Sequence, residues 1–232
     1  MNILAIDTSG PVASCAVMKN GSIVHLIAMN QGLTHSETIM PAVDAAMSAA
    51  GLNCAEIDCF AVVAGPGSFT GVRIGACAAK GLAHAWNKPC ARIDALEALA
   101  MNYQGFDGVA CPILDARRGQ VYCAAFDMKN GLPERILPDD ALPLAEFIEK
   151  LPADRRVVFL GDGLRVHASA IREKRPDAVL APANLRDLRA DAAAILAAEQ
   201  QGEWMEARLL TPIYLRIPQA ERERNARLAG EA

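Results

Sequence analysis

The stretch VVAGPGSFTGVRIG, residues 62–75, joins an apolar run to a segment of small residues. A glycine-rich turn of this kind either cradles a phosphate or lets a strand and a helix pack closely. Walker-type phosphate binding needs a lysine beside the last glycine, but Val72 follows Gly71 and the nearest lysine is Lys80. The dinucleotide fingerprint fails because Thr70 stands where its third glycine belongs. Anion binding at a helix N-terminus and close packing both stay open, and the small residues from Gly75 to Ala83 favour packing.

Composition limits the remaining classes of function. The chain has 232 residues, of which 52% are hydrophobic and 22% charged, so it can bury a substantial core. No apolar run reaches the roughly 18 residues of a membrane span, and MNILAIDTSG lacks the basic start of a signal peptide, so we expect a cytoplasmic protein with no membrane partner. A net charge of −4 predicts no direct electrostatic binding of nucleic acid. The seven cysteines lack C-x-x-C spacing, which predicts buried, reduced thiols.

The first part of the chain has the pattern of a β-β-β-α-β-α lobe. Asn20-Gly21 predicts a two-residue hairpin between two apolar runs. Thr34 and Glu37 have capping-box spacing, and Gly51 ends the helical pattern that follows. The predicted strands cover residues 2–6, 12–19, 22–28, 59–64 and 90–93, and the predicted helices begin near residues 34 and 70.

The same landmarks return in the second half of the chain. VACPILD at 109–115 resembles NILAID at 2–7, a second Asn-Gly occurs at 130–131, and VVFLGDG at 157–163 matches VVAGPG at 62–67. An ordered repeat predicts two lobes of similar design. We expect one lobe over residues 1–104, a second over 105–217, and a charged, disordered tail over 218–232.

Several motifs together resemble those of the TsaB (YeaZ) family, bacterial partners in making threonylcarbamoyladenosine on tRNA. They are ILAIDTS at 3–9, THSETIMPAVDAAM at 34–47, GPGSFTGVRIG at 65–75, DARRGQVY at 115–122 and PIYLR at 212–216. The resemblance implies an α/β fold of two RNase-H-like lobes, with mixed sheets flanked by helices, as in the acetate kinase, sugar kinase, Hsp70 and actin superfamily.

In that superfamily the turn after the first strand of each lobe faces a cleft and attends to phosphate and its metal ion. The corresponding residues here are treated as vestigial phosphate loops: Asp7, Thr8, Ser9, Asp115, Arg117 and Gly119. The alternative is that each aspartate ends a strand and caps a turn.

The chain differs from the catalytic relative TsaD at the residues that bind TsaD's metal ion. TsaD carries an H-x-x-x-H pair where this chain has ARIDALEALAMNY at 91–103, and the four histidines here include no pair three to five residues apart. We therefore expect no metal site, no catalytic residue and no required cofactor, with weak nucleotide or Mg²⁺ binding at shared interfaces left open. A stand-alone kinase or ATPase using Asp7 and Asp115, with an adenosine pocket at Gly161-Asp162-Gly163, is the alternative. A metallopeptidase would need the missing histidines.

The resemblance implies a non-catalytic scaffold that works through its partners. It implies a homodimer that exchanges its contact for a heterodimer with a TsaD-like protein, a TsaE-like P-loop ATPase as third partner, and indirect contact with tRNA. Met40 and Met47 predict an unburied apolar line on the helix from residue 34, unless that line merges with the core face. The predicted interface residues are Ile39, Met40, Val43, Met47, Arg73, Ala76, Lys80 and Ala83.

Overall fold

The first three strands form an antiparallel meander, β1 (Asn2–Asp7), β2 (Ala13–Lys19) and β3 (Ser22–Met29). Asn20 and Gly21 adopt left-handed φ angles of 53° and 79°, so the predicted Asn-Gly hairpin is confirmed. The first lobe continues with α1 (His35–Ala50), β4 (Cys59–Gly65), α2 (Phe69–Ala85) and β5 (Pro89–Asp94). This computed structural model describes residues 1–216.

Helix α1 begins and ends where the sequence predicts, but without the predicted capping box. Thr34 is the N-cap residue, yet its side chain makes no capping hydrogen bond. The Thr34 backbone carbonyl instead accepts a hydrogen bond of 3.0 Å from the Glu37 N–H. Gly51 ends the helix at a left-handed φ of 61°, as predicted, and Pro41 lies inside the helix.

The second half repeats the design of the first, which confirms the repeat seen in the sequence. α3 (Ala95–Ala100) ends the first half. The second half consists of β6 (Val109–Asp115), β7 (Gln120–Asp127), β8 (Glu134–Pro143), α4 (Leu144–Lys150), β9 (Val157–Leu160), α5 (Leu164–Lys174), β10 (Val179–Leu180) and α6 (Ala183–Arg186). Its sheet is ordered β10-β9-β6-β7-β8, with an antiparallel β6-β7-β8 meander and a parallel β9.

The chain then returns to the first sheet. α7 (Ala190–Glu199) packs on β1 and β2, and β11 (Met205–Glu206) pairs with β5, completing the order β11-β5-β4-β1-β2-β3. The short alanine side chains of α7 allow this close approach. β11 and α7, which fall in the predicted second lobe, thus belong with the first sheet, and the division between residues 104 and 105 stays a prediction. The predicted tail at 218–232 lies outside the described residues.

One apolar core connects the two sheets. Ile3 and Val63 of the first sheet belong to the same buried cluster as Phe126 and Phe159 of the second. The Ala190 N–H at the start of α7 donates a hydrogen bond of 3.0 Å to the buried Ser14 Oγ of β2. The relative position of the lobes is thus fixed by packing. Within residues 1–216 no helix is both long and apolar enough to cross a bilayer.

Candidate functional site

The glycine loop packs directly on the turn that follows β1. A Cβ atom at Gly67 would overlap the carbonyl oxygen of Ser9, and one at Gly71 would overlap that of Thr8. The Ser68 N–H donates a hydrogen bond of 2.7 Å to the Ser9 carbonyl oxygen, and the Gly71 N–H donates to the Ser68 Oγ at 3.2 Å. The chain itself therefore uses donors that an anion would need, and the packing interpretation is confirmed.

The second lobe uses its glycines in the same way. A Cβ at Gly161 would overlap the carbonyl oxygen of Ile113, to which the Gly163 N–H donates a hydrogen bond of 3.2 Å. Between them, Asp162 Oδ1 accepts a hydrogen bond of 3.0 Å from the Asp115 N–H. Burial raises the pKa of Asp162 above its ordinary value. This turn closes on β6, so Gly161-Asp162-Gly163 is occupied by packing contacts.

Asp7 is a fully buried carboxyl group that organises the first turn. Its Oδ1 accepts hydrogen bonds from the Ser9 N–H at 2.8 Å and the Ser9 Oγ at 2.7 Å. Its Oδ2 has no hydrogen-bond partner among residues 1–216. Burial raises the pKa of Asp7 to about 6, against the lowering effect of the Ser9 hydrogen bonds. Asp7 thus ends a strand and caps a turn, as the alternative to a phosphate loop predicts.

The turn after β6 is capped in a related manner. Asp115 Oδ1 accepts a hydrogen bond of 2.8 Å from the Arg117 N–H, and the Arg117 guanidinium lies 3.7 Å from Asp115 Oδ2. Arg117, Arg118 and Gly119 all have left-handed φ angles, of 65°, 56° and 73°. Only glycine adopts this conformation without strain, so two strained arginines stand in sequence here. The side chain of Arg117 is 87% exposed.

The two turns border a cavity of about 580 Å³ between the lobes. Ser9, Asp115 and Arg117 line this cleft, whereas Asp7 and Thr8 lie beneath its surface. In the part of the chain that the structure describes, no three His, Cys, Asp or Glu side chains come together in a way that could hold a metal ion. The cleft therefore presents polar groups to solvent without assembling a ligand set.

Most of the predicted interface residues are buried in the chain's own core. The prediction that Met47 belongs to an unburied line is wrong, since Met47 is only 6% exposed while Met40 is 42% exposed. Met47 belongs to the core cluster that includes Leu52 and Ile57, residues beyond the end of α1 that helical periodicity does not register. The other buried members of the predicted set are Ile39, Val43, Ala76 and Ala83.

An open apolar groove lies where α1 and α2 meet. Met40 of α1 and Phe69, Ile74 and Cys77 of α2 line this groove, which has a volume of about 510 Å³. The exposure of Cys77 corrects the prediction that the cysteines are buried, because α2 turns this thiol toward solvent. We call this groove and its rim the helix-pair surface.

The C-terminal segment, residues 207–216, is the part of the site that sequence reasoning missed. Lys80 Nζ donates hydrogen bonds to the carbonyl oxygens of Arg208 at 3.0 Å and Leu210 at 3.2 Å. Arg73 Nε donates to the Tyr214 hydroxyl at 2.7 Å, and its guanidinium lies 3.7 Å from the ring centroid of Phe69. Both cations, predicted to meet a partner, therefore hold their own chain.

This segment also links the two lobes. The Ile213 N–H donates a hydrogen bond of 2.8 Å to the Ala64 carbonyl of β4, and Arg216 Nη1 donates one of 3.0 Å to the Ala116 carbonyl of the second lobe. The PIYLR motif at 212–216 includes these two residues, but no periodicity in the sequence indicates contacts between residues so far apart in the chain.

Comparison with known proteins agrees with this geometry. The family model described as TsaD, tRNA N6-adenosine threonylcarbamoyltransferase, matches residues 29–222. The tRNA threonylcarbamoyladenosine biosynthesis protein TsaB of Bacillus subtilis is 36% identical over 223 residues, which cover 95% of this chain and 96% of that protein.

Two solved structures show the fold. YeaZ from Pseudomonas aeruginosa aligns with a TM-score of 0.76 and 26% identity, covering 92% of this chain and 99% of that one. An activator of 2-hydroxyisocaproyl-CoA dehydratase from Clostridium difficile, with bound ADPNP, aligns at a TM-score of 0.50 and 13% identity over 88% of this chain and 98% of that one, which shows a likeness of fold alone. The chain belongs to the TsaB (YeaZ) family.

Proposed function

We propose that this chain is a non-catalytic accessory subunit that pairs with a TsaD-like protein for threonylcarbamoyl transfer to adenosine 37 of tRNA. The observation that carries the proposal is that the glycine-rich turn of each lobe packs on the chain's own backbone. Gly71 and Gly161 each leave space only for a carbonyl oxygen of the adjacent strand or turn. A subunit built in this way contributes a surface to a complex, and its catalytic relative supplies the chemistry.

The choice of residues supports the same role. The chain lacks the histidine pair of its catalytic relative, and Asp7, the carboxylate expected to attend to a metal ion, is fully buried and capped by Ser9. The stand-alone kinase is not favoured, because the relatives are threonylcarbamoyladenosine proteins and the turn proposed as its adenosine pocket packs on Ile113. No cofactor is required in this proposal, and weak nucleotide or Mg²⁺ binding is confined to shared interfaces.

The helix-pair surface is our proposed contact for the catalytic partner. Met40 offers an unbranched, exposed apolar side chain, which suits a surface that meets more than one partner. Arg73 stands at the rim of the groove, stacked on Phe69. In the same proposal the isolated chain forms a homodimer through this surface, a TsaE-like ATPase is the third partner, tRNA is held by the complex, and the compartment is the cytoplasm.

The first experiment separates the accessory role from the kinase. The purified chain is mixed with ATP and Mg²⁺, and phosphate release is measured for the chain alone, with the TsaD-like protein, and with both TsaD-like and TsaE-like proteins. We expect no turnover by the chain alone and, once tRNA and a threonylcarbamoyl donor are added, tRNA modification only in the mixture of all three proteins. Steady turnover by the isolated chain, absent from a preparation of Asp7→Asn, would overturn the proposal.

The second experiment tests the surface. Met40→Asp places a charge in the groove, and Val166→Asp makes the same change at a side chain of α5 that is 65% exposed. We expect Met40→Asp to weaken binding of the TsaD-like protein at least tenfold, or about 1.4 kcal/mol, as charging an interface centre does. Val166→Asp should bind like the wild type. Equal affinities for both variants in calorimetry would place the contact elsewhere.

A further inference from the structure

Arg73 is a cation held in a fixed position beside the helix-pair surface. Its guanidinium carbon lies 3.7 Å from the ring centroid of Phe69 and 5.7 Å from that of Tyr214, and its Nε donates to the Tyr214 hydroxyl at 2.7 Å. The centroids of the two rings are themselves 5.2 Å apart. An exposed arginine normally loses side-chain entropy when it binds a partner, but these contacts have already ordered this one. Arg73 is therefore preorganised for a contact outside the chain.

The terminal nitrogens of Arg73 are not used by these contacts. A guanidinium has five N–H donors, and the Tyr214 hydroxyl accepts only the one on Nε. Within residues 1–216, Arg73 forms no ion pair with a carboxylate. Arg165, by comparison, donates from one terminal nitrogen to both carboxylate oxygens of Asp187, at 3.0 and 2.8 Å. The planar donors left on Arg73 match the two oxygens of a carboxylate.

The surroundings of Arg73 favour a protein carboxylate as the group that it binds. Among the described residues that line the groove, Arg73 alone is charged, and most of the others are apolar. A surface that follows a nucleic-acid backbone needs several cations, because every phosphate is charged. An apolar groove with one cation at its rim instead fits an apolar protein segment that carries one acidic side chain. We therefore take a side-chain carboxylate, and not a tRNA phosphate, as the ligand of Arg73.

We propose that Arg73 binds a carboxylate of the TsaD-like partner and thereby favours that partner over a second copy of this chain. The inference rests on the proposed function, since it assigns the chemistry of the contact at the helix-pair surface. A second copy that met this surface groove to groove would bring another Arg73 and, among the described lining residues, no acidic side chain. Like charges brought together in an interface weaken binding, so the same arginine strengthens one pairing and weakens the other.

Affinity measurements test this choice of partner. Arg73→Gln keeps a polar side chain but removes the charge. Arg156→Gln is the matched control, because Arg156 stacks on Phe106 at 5.1 Å and is not among the residues that line the groove. We expect Arg73→Gln to weaken binding of the TsaD-like protein, with no tRNA present, about tenfold or more in calorimetry. In sedimentation of the chain alone, the same variant should dimerise at least as tightly as the wild type, and Arg156→Gln should change neither affinity.

Several results would overturn the inference. Unchanged binding of the TsaD-like protein by Arg73→Gln is one, and an equal weakening of both affinities, which indicates a structural role, is another. The same loss in Tyr214→Phe, which keeps the charge and removes only the hydrogen bond from Nε, would also indicate a structural role. A loss seen only with tRNA present would assign a phosphate to Arg73. Failure of the wild-type chain to bind the TsaD-like protein would overturn the proposed function, and the inference with it.

Carbodiimide coupling identifies the carboxylate. The reagent joins an amine and a carboxylate in direct contact as an amide, and a guanidinium does not react. Arg73→Lys places a reactive amine at this position and keeps the positive charge, and Arg156→Lys does so outside the groove. We expect peptide mass spectrometry to show a cross-link from position 73 to an aspartate or glutamate of the TsaD-like protein, and none from position 156. A complex confirmed by sedimentation that lacks the link at position 73, or a link to a second copy alone, overturns the proposal.

Discussion

Thr8 and Gly71 are locked together by contacts in both directions. The Thr8 Oγ1 donates a hydrogen bond of 2.7 Å to the Gly71 carbonyl oxygen, and the Thr8 carbonyl oxygen fills the space that a Cβ of Gly71 would need. The turn after β1 and the first turn of α2 are thus one packed unit. The glycines of this loop are therefore explained by steric fit, because the backbone of the first turn fills the space that a side chain would need.

The first prediction concerns that fit. Gly71→Ala should destabilise the protein by about 1–3 kcal/mol or more, because the new methyl group collides with backbone that cannot rotate away. Gly81→Ala, in the same helix but with open space around it, should be neutral or stabilise by up to about 1 kcal/mol. Urea unfolding of both variants measures the difference. Similar effects at the two positions would show that the helix and turn are not tightly packed.

The second prediction concerns the buried carboxyl of Asp7. Its folded pKa of about 6 lies above the ordinary 3.8, so its protonated form is favoured in the folded state. Its contribution to stability is therefore fully present below about pH 4 and is lost as the pH rises through about 6. The difference between the two pKa values corresponds to about 3 kcal/mol at most.

Asp7→Asn keeps the shape and an oxygen acceptor for Ser9 but does not ionise. We expect the variant to be more stable than the wild type at pH 8, with the advantage shrinking as the pH falls toward 4. Denaturant unfolding across this range measures it. An Asp7→Asn advantage that does not change with pH would mean that the carboxyl ionises at its ordinary value.

The local features of the fold could be predicted from the sequence because they depend on neighbours in the chain. The Asn20-Gly21 hairpin and the Gly51 helix end follow from turn and cap chemistry. The repeat of strand, turn and glycine loop predicted two sheets. Thr34 is an exception among these local features. Its backbone carbonyl, and not its side chain, accepts the hydrogen bond from the Glu37 N–H.

The candidate site was predicted less well, because its contacts join distant parts of the chain. Periodicity places Met40 and Met47 on one line, but residues after α1 cover only Met47. Arg73 and Lys80 were predicted to meet a partner, but both donate hydrogen bonds to the C-terminal segment of their own chain. Contacts separated by more than a hundred residues leave no spacing in the sequence, so only the folded chain reveals them.

The third prediction concerns the link between Arg73 and Tyr214. Tyr214→Phe removes the hydrogen bond and should cost about 1 kcal/mol or less locally, while Tyr214→Ala also removes the ring contact with Phe69, whose centroid is 5.2 Å away. Hydrogen exchange at the Ile213 amide should then be about fivefold faster in Tyr214→Phe, and faster again in Tyr214→Ala. Tyr103→Phe, at a ring that packs edge-on against Phe106 away from this segment, should leave that exchange unchanged. Unaltered exchange in Tyr214→Ala would show that the segment is held by other contacts.

The fourth prediction uses the cysteines as a footprint of the helix-pair surface. Cys77 is exposed and Cys54 is half-buried, whereas burial raises the pKa values of Cys15 and Cys90, to about 12 and about 11. Thiolates react and thiols do not, so a disulfide reagent should modify Cys77 first, Cys54 more slowly, and the buried thiols only after unfolding. Cys77→Ser should remove the fast phase.

The same reaction reports on binding, because Cys77 lines the groove beside Met40. A saturating TsaD-like partner should slow the fast phase at least tenfold, while the Cys54 phase, outside the groove, should keep its rate. The reaction is then repeated with Met40→Asp in the presence of the same partner. If the partner slows labelling by covering the Cys77 thiol, the weaker binding of this variant should restore the fast phase. Fast labelling of Cys77 in a complex confirmed by sedimentation would exclude the helix-pair surface as the contact.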